Sequence, residues 1–154
     1  MKSSFLILAA CNLAMLALTA VMGLAVEGAA GFERHFLLGV LAAMFACFVH
    51  VVAFMYFVVQ EKIIRQAALT VGLDAAFHQV AMRMKSRSLR LSMLAIGSIL
   101  LAVALGAAIG IYVPPAAHLL AAFAAIGVNM LVTVFQYSLI DEFSRVQQQA
   151  FPEG

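Results

Sequence analysis

The sequence predicts an all-α integral membrane protein: a four-transmembrane-helix antiparallel bundle whose helices 2 and 3 extend into a cytoplasmic basic helical hairpin. The first observation behind this is composition. Of 154 residues, 66% are hydrophobic and 10% charged, and the mean hydropathy is +1.08. A water-soluble domain carries about a quarter charged residues, so this chain cannot cover a water-facing surface and lipid must supply most of its solvent. The second is four apolar runs, residues 5–26, 35–59, 92–112 and 117–140, each reaching the roughly 20 residues that cross about 30 Å of hydrocarbon. The third is the spacing between runs. The first two and the last two are joined by short connections, which make antiparallel neighbours. The basic residues collect in the longer middle segment, residues 60–91.

The first run contains "LAAC" at residues 8–11, which looks like a lipoprotein cleavage box. The apolar stretch before Cys11 is too short for a signal core, and the run continues beyond it, so it is expected to remain as the first membrane helix. "EGAAGFER" then turns the chain. The second run continues past the membrane as "QEKIIRQAALTV", Gly72 stops it, and Asp74 is placed to cap a new helix. There Phe77, Val80, Ala81 and Met84 share a face with basic residues behind them. This reads as an interfacial helix touching acidic lipid head groups through Arg83, Lys85, Arg87 and Arg90. His78 has no visible partner and reads as a surface residue. Pro114 and Pro115 force the third connection. The tail, residues 141–154, extends the last helix, and the whole chain, 1–154, forms one membrane domain.

Lys62, Arg65, Arg83, Lys85, Arg87 and Arg90 lie in the middle segment, with Lys2 and Arg145 on the same side and only Arg34 opposite. The positive-inside rule then puts both termini in the cytoplasm of a bacterial-type inner (plasma) membrane. Tyr56 and Tyr137 mark the inner interface and Tyr112 the outer one. A membrane anchor accounts for the basic run, so nucleic acid is not an expected partner.

Each run carries a stripe of small and polar residues at helical spacing. On the first it is Asn12, Thr19, Gly23 and Glu27; on the second, His35, Gly39, Ala43, Ala46, His50 and Ala53. The third carries Ser98, Ala102, Gly106 and Gly110, and the fourth His118, Ala122, Ala125, Asn129, Thr133 and Gln136. Lipid is as apolar as leucine, so helices associate through small residues and interhelical hydrogen bonds, and an unpaired polar side chain facing hydrocarbon costs several kcal/mol. All four stripes should therefore face inward. Counting about 1.5 Å per residue gives two polar layers. His35, His118 and Glu27 lie near the outer surface, and Asn12, His50, Ser98 and Asn129 lie roughly 20 Å deeper.

The outer layer has three readings. His35 and His118 could hold a haem b iron axially. With Glu27 or Glu33 they could form a zinc or copper site. Otherwise they are interfacial histidines that cap or hydrogen-bond. In the deeper layer His50 is either a neutral clasp bonded to Asn12 or Asn129, or a group that protonates and contacts a quinone or relays a proton. Cys11 and Cys47 make neither a CxxC pair nor a disulfide framework. No nucleotide, metalloprotease or hydrolase motif is present, no carboxylate pair lies within a span, and no inverted repeat is evident. These absences leave an accessory or anchor subunit of a larger energy-transducing or respiratory membrane complex as the first expectation. Such a subunit has no catalytic chemistry of its own and docks other membrane subunits or further copies of itself. A haem b- or quinone-binding redox anchor using His35/His118 or His50 is the alternative, and proton-linked or small-solute transport the third.

Overall fold

The computed structural model describes residues 2–109 and 111–151. They form four helices: α1 (Lys2–Leu24), α2 (Gly28–Thr70), α3 (Ala75–Ala107) and α4 (Pro115–Ala150). Each is long and apolar enough to cross a membrane. Successive helices pack together and α1 closes against α4, so the bundle is a ring in which α2 and α4 face each other across the centre.

Local chemistry sets the boundaries. Gly72 takes φ +72°, a left-handed conformation that costs glycine little, and the Asp74 carboxylate accepts a hydrogen bond from the Ala76 amide at 2.8 Å. α2 therefore stops and α3 starts within four residues. Pro115 occupies the first turn of α4, where its missing N–H has no partner to lose. Two boundaries differ from the sequence expectation. Gly28, at φ +64°, turns the chain so sharply that most of "EGAAGFER" is already helix, and only residues 25–27 connect α1 to α2. α3 ends at Ala107, so Tyr112 sits in the connection, 89% exposed. Gly110, the last of the four-spaced series on α3, lies outside the described residues.

Within the membrane-spanning runs the usual sorting of a water-soluble protein is inverted, with uncharged polar side chains gathered inside. Asn12, His50, Ser88, Ser92, Asn129 and Gln136 are buried, while Ile7, Val21, Leu37, Met44, Leu101 and Leu120 face outward. That inversion suits contact with a lipid bilayer, which solvates leucine and not asparagine. The core has two parts. One is bulky, with Phe5, Phe57, Ile64, Ile140 and Phe143; the Phe57 and Phe143 rings meet edge to face at 5.9 Å, a favoured aromatic geometry. The other is built of Ala43, Ala46, Ile99, Ala102 and Ala125, side chains small enough for close helix approach. Lys2 pairs with Asp141, so the chain ends share one end of the bundle with the α2–α3 turn, and the two short connections share the other.

The basic segment corrects the sequence reading. Its apolar face is turned to α2 and the bulky core rather than left to lipid. Residues 75–91 are the first turns of α3 and pack along α2, with Ala81 and Met84 buried and Phe77 and Val80 against the bulky core. Glu61 of α2 is the reason: this largely buried carboxylate accepts from Lys85 Nζ at 2.7 Å and from His78 Nε2 at 2.9 Å. His78 therefore has a partner, and Lys85 is turned inward to an ion pair. Arg83, Arg87 and Arg90 remain exposed.

Candidate functional site

Because α2 and α4 are diagonal, a histidine on each meets its counterpart across the bundle centre. His35 and His118 do so, with ring centroids 6.2 Å apart and planes at 72°. His118 Nδ1 lies 3.0 Å from the Ala102 carbonyl oxygen of α3. A carbonyl only accepts, so Nδ1 carries the hydrogen and Nε2 presents its lone pair. The Thr19 carbonyl of α1 stands in the corresponding place beside the His35 ring. His35 Nδ1 is buried without a partner of its own.

Glycine makes room for each ring. A Cβ at Gly23 of α1 would come within 2.8 Å of His35 Cε1, and one at Gly106 of α3 within 2.8 Å of His118 Cε1. The two imidazoles thus rest edge-on against bare backbone. Below and around them lies a cavity of about 700 Å³, within the range of about 300–1,000 Å³ usual for small-molecule and cofactor sites. All four helices line it, with Leu16, Gly39, Val103 and Ile126 among the walls. Thr19, His35 and His118 are the polar side chains that reach it, and the Thr19 hydroxyl is already donated to the Met15 carbonyl.

The two halves of this site are copies. Gly23 precedes His35 by 12 residues and Gly106 precedes His118 by 12; both pairs are related by a shift of 83. The same shift carries Thr19 to Ala102, Gly39 to Ala122 and Ala42 to Ala125, and it superposes "MKS" at 1–3 on "MKS" at 84–86. Burial follows it too: Phe5, Ala9, Asn12, Val49 and Phe57 map onto Ser88, Ser92, Ala95, Val132 and Ile140, and all ten are buried. The α1–α2 hairpin is therefore repeated as α3–α4. The repeat is direct rather than inverted, since the same shift relates both helices in chain order.

Other expected members of the outer layer do not join the pair. Glu27 precedes α2 and is exposed, as is Glu33. Among the described residues no three His, Cys, Asp or Glu side chains converge as a metal-ligand group. Two nitrogens are what the protein provides here.

In the deeper layer His50 and Asn129 meet as expected, with His50 Nε2 2.8 Å from Asn129 Oδ1. The other partners differ. His50 Nδ1 is 3.1 Å from Gln136 Oε1, the Gln136 amide donates to Ser92 Oγ at 3.0 Å, and Ser92 donates to the His50 carbonyl at 3.0 Å. Asn12 is fully buried, but neither of its amide atoms has a partner, so it is not part of the clasp. Ser98 sits at the margin, donating to the Ala95 carbonyl and 3.5 Å from Asn129 Nδ2. Cys11 and Cys47 are unpaired. No family model, curated protein or solved structure matches the chain.

Proposed function

We propose that this chain is a membrane redox anchor that holds one haem b between His35 and His118. The observation that carries the reading is the donor set: two imidazoles from diagonal helices, facing an apolar cavity, with no third ligand. A zinc or copper site needs three or four protein ligands. Haem needs only the axial ones, because the porphyrin supplies the rest. The two ring centroids are 6.2 Å apart, so His35 and His118 are the residues that would hold the group between them. Held by these two histidines, haem b would supply one-electron transfer.

The chain's own residues supply orientation and exclusion. The Ala102 carbonyl fixes the His118 tautomer so that Nε2 keeps its lone pair free for a ligand, the outer-shell contact that metal-ligating histidines ordinarily make. Gly23 and Gly106 let both rings sit close to the neighbouring backbones. Gly39 and Ala122, equivalent under the 83-residue shift, keep the wall one turn below each histidine small. The largely apolar walls of the cavity would limit water around a bound group.

The same reading accommodates a subunit of an energy-transducing complex. α2 has 43 residues, about 65 Å of helix, roughly twice the hydrocarbon thickness, which leaves a projecting hairpin where a partner could dock. By the positive-inside rule this end is cytoplasmic in a plasma-type membrane, with Arg83, Arg87 and Arg90 available to acidic lipid head groups.

The test is the absorption spectrum of the full chain purified from haem-replete membranes, with haem and metal quantified. A Soret band with a low-spin bis-imidazole spectrum and one haem per chain is expected. It should be lost in His35→Ala and His118→Ala and kept in His78→Ala. Folded, colourless protein that fails to take up added haem would overturn the assignment.

A further inference from the structure

Haem ligation leaves His50 without a role. Its surroundings are built from one half of the repeat only. Shifting by 83 residues takes His50 to Thr133, and takes Ser92, Asn129 and Gln136 back to Ala9, Ala46 and Ala53. The helix pair that uses three alanines there packs with Ala9, Ala46 and Ala53 all buried. The repeat itself therefore does not dictate polar side chains at these three positions. In a bilayer interior, polar groups that the architecture does not need are usually functional.

The hydrogen-bond directions identify what the cluster is arranged to hold. Asn129 Nδ2 donates to the Ala125 carbonyl at 2.8 Å, which turns Asn129 Oδ1 to His50 Nε2. Gln136 Nε2 donates to Ser92 Oγ, whose hydrogen goes to the His50 carbonyl, and this turns Gln136 Oε1 to His50 Nδ1. Both ring nitrogens thus face oxygens that can only accept. A neutral imidazole has one N–H; an imidazolium has two.

We propose that His50, Ser92, Asn129 and Gln136 form a proton-binding site in the bilayer interior. The free lone pair of the neutral ring takes up one proton, and the resulting imidazolium donates to Asn129 Oδ1 and Gln136 Oε1 together. On release, the Gln136 amide turns over and donates to Nδ1, while the Ser92 hydroxyl swings from the His50 carbonyl to Gln136 Oε1. Each ring N–H of His50 then has an acceptor in both states. The buried side chains near this level are uncharged on every helix: Phe5, Ala9 and Asn12 on α1, Ser92 and Ala95 on α3, and Asn129, Val132 and Gln136 on α4. On α2 itself the nearest titratable group is Cys47. The proton is therefore held by amide oxygens rather than by a counter-ion. The unpartnered amide of Asn12 gives the layer further hydrogen-bonding capacity. It lies near Ala46 in the register that sets Gly39 against Thr19 and His35 against Gly23.

This proposal stands apart from haem binding and is tested without it. The full chain, labelled with ¹⁵N-histidine and placed in lipid nanodiscs, is titrated by NMR from about pH 8 to about pH 5, the range in which histidine ordinarily changes charge. The His50 resonances are those missing from the variant H50T/S92A/N129A/Q136A, which copies the other half of the repeat. The expected result is reversible conversion of His50 to a doubly protonated ring. Proton affinity should fall by about tenfold or more in Asn129→Leu and in Gln136→Leu, as removal of a hydrogen bond to a charged group implies. A ring fixed in one neutral tautomer throughout, or an affinity unchanged in both leucine variants, would overturn the proposal. The fourfold variant guards against misfolding, because it replaces whole partner sets and should retain full helicity.

Discussion

The two polar layers of this bundle lie at different depths and are built by opposite rules. The layer near the short connections is symmetric: His35 and His118, Gly23 and Gly106, the Thr19 and Ala102 carbonyls, each related to its counterpart by 83 residues. The layer near mid-bundle is one-sided, with a histidine from the first half and amides and a hydroxyl from the second. Symmetry in the first fits a ligand that takes one equal bond from each side. Its loss in the second fits a ligand held by a single residue. What separates them physically is whether the repeat offers one copy of a donor or two.

The strongest test of this contrast is to remove one donor from each layer. His118→Ala should abolish haem retention, because the remaining imidazole cannot supply the second axial bond, while leaving the His50 titration in place. The fourfold variant copying the other half should do the reverse. Haem content by absorption and His50 protonation by NMR, read on the same samples, check both directions. A fall in both signals for both variants would mean the layers are not separate sites.

The next effect concerns the glycines. Gly106→Ala places a methyl group 2.8 Å from His118 Cε1 and forces the ring off the Ala102 carbonyl. The helix itself gains from alanine, so the protein should fold. Haem affinity is expected to fall by about 10- to 100-fold, the usual cost of disturbing a ligand's outer-shell support. Gly23→Ala should act in the same direction and less strongly, since His35 Nδ1 has no bond of that kind to lose. Equal and negligible losses, measured by haem titration, would remove the glycines from the site.

In the one-sided layer, Asn129→Leu leaves a buried histidine nitrogen unpaired and should lower stability by about 1–3 kcal/mol. The fourfold replacement, though larger, should cost less, because donors and acceptors leave together. Thermal unfolding in one detergent system ranks the two variants, and the reverse order would argue that the cluster is a structural clasp after all.

The fold was legible because its determinants are local. Run length gives the spans, Gly72 and Asp74 mark the turn, and the scarce polar residues declare the inner faces. Depth counting also brought His35 to His118 and His50 to Asn129. Depth says nothing of azimuth, so Asn12 was placed with His50 and Ser92, which lies off the small-residue stripe of its run, was not; Gln136 was on the inward stripe but was left out because it lies seven residues, about 10 Å, along the helix from Asn129. The duplication was hidden because apolar residues interchange freely on lipid-facing surfaces: Cys11 is matched by Leu94, Val40 by Phe123 and Phe48 by Leu131. The surviving signals were short and far apart, namely glycine twelve residues before a histidine, twice, and "MKS", twice. Glu61 was unreadable as a partner for His78 because the contact crosses the α2–α3 turn at a separation of 17 residues.

That contact gives the smallest effect and a control for both layers. Hydrogen bonds from Lys85 and His78 hold the Glu61 carboxyl below its ordinary range. A group depressed in the folded state stabilises it above the unfolded value and loses that contribution as pH falls through the folded one, so the α2–α3 hairpin should loosen only on the acid side of the usual carboxylate range. The Lys85 and His78 side chains are about a third exposed, at 33% and 27%, so solvent screening keeps the contribution near the upper end of surface pairs, about 1 kcal/mol. Glu61→Gln should reproduce at neutral pH the hydrogen exchange that the unmodified chain shows in acid across residues 60–90, and leave the haem spectrum and the His50 titration unmoved. A shift in either would mean that the projecting hairpin is coupled to the bundle interior, and the two polar layers would then have to be treated as parts of one mechanism.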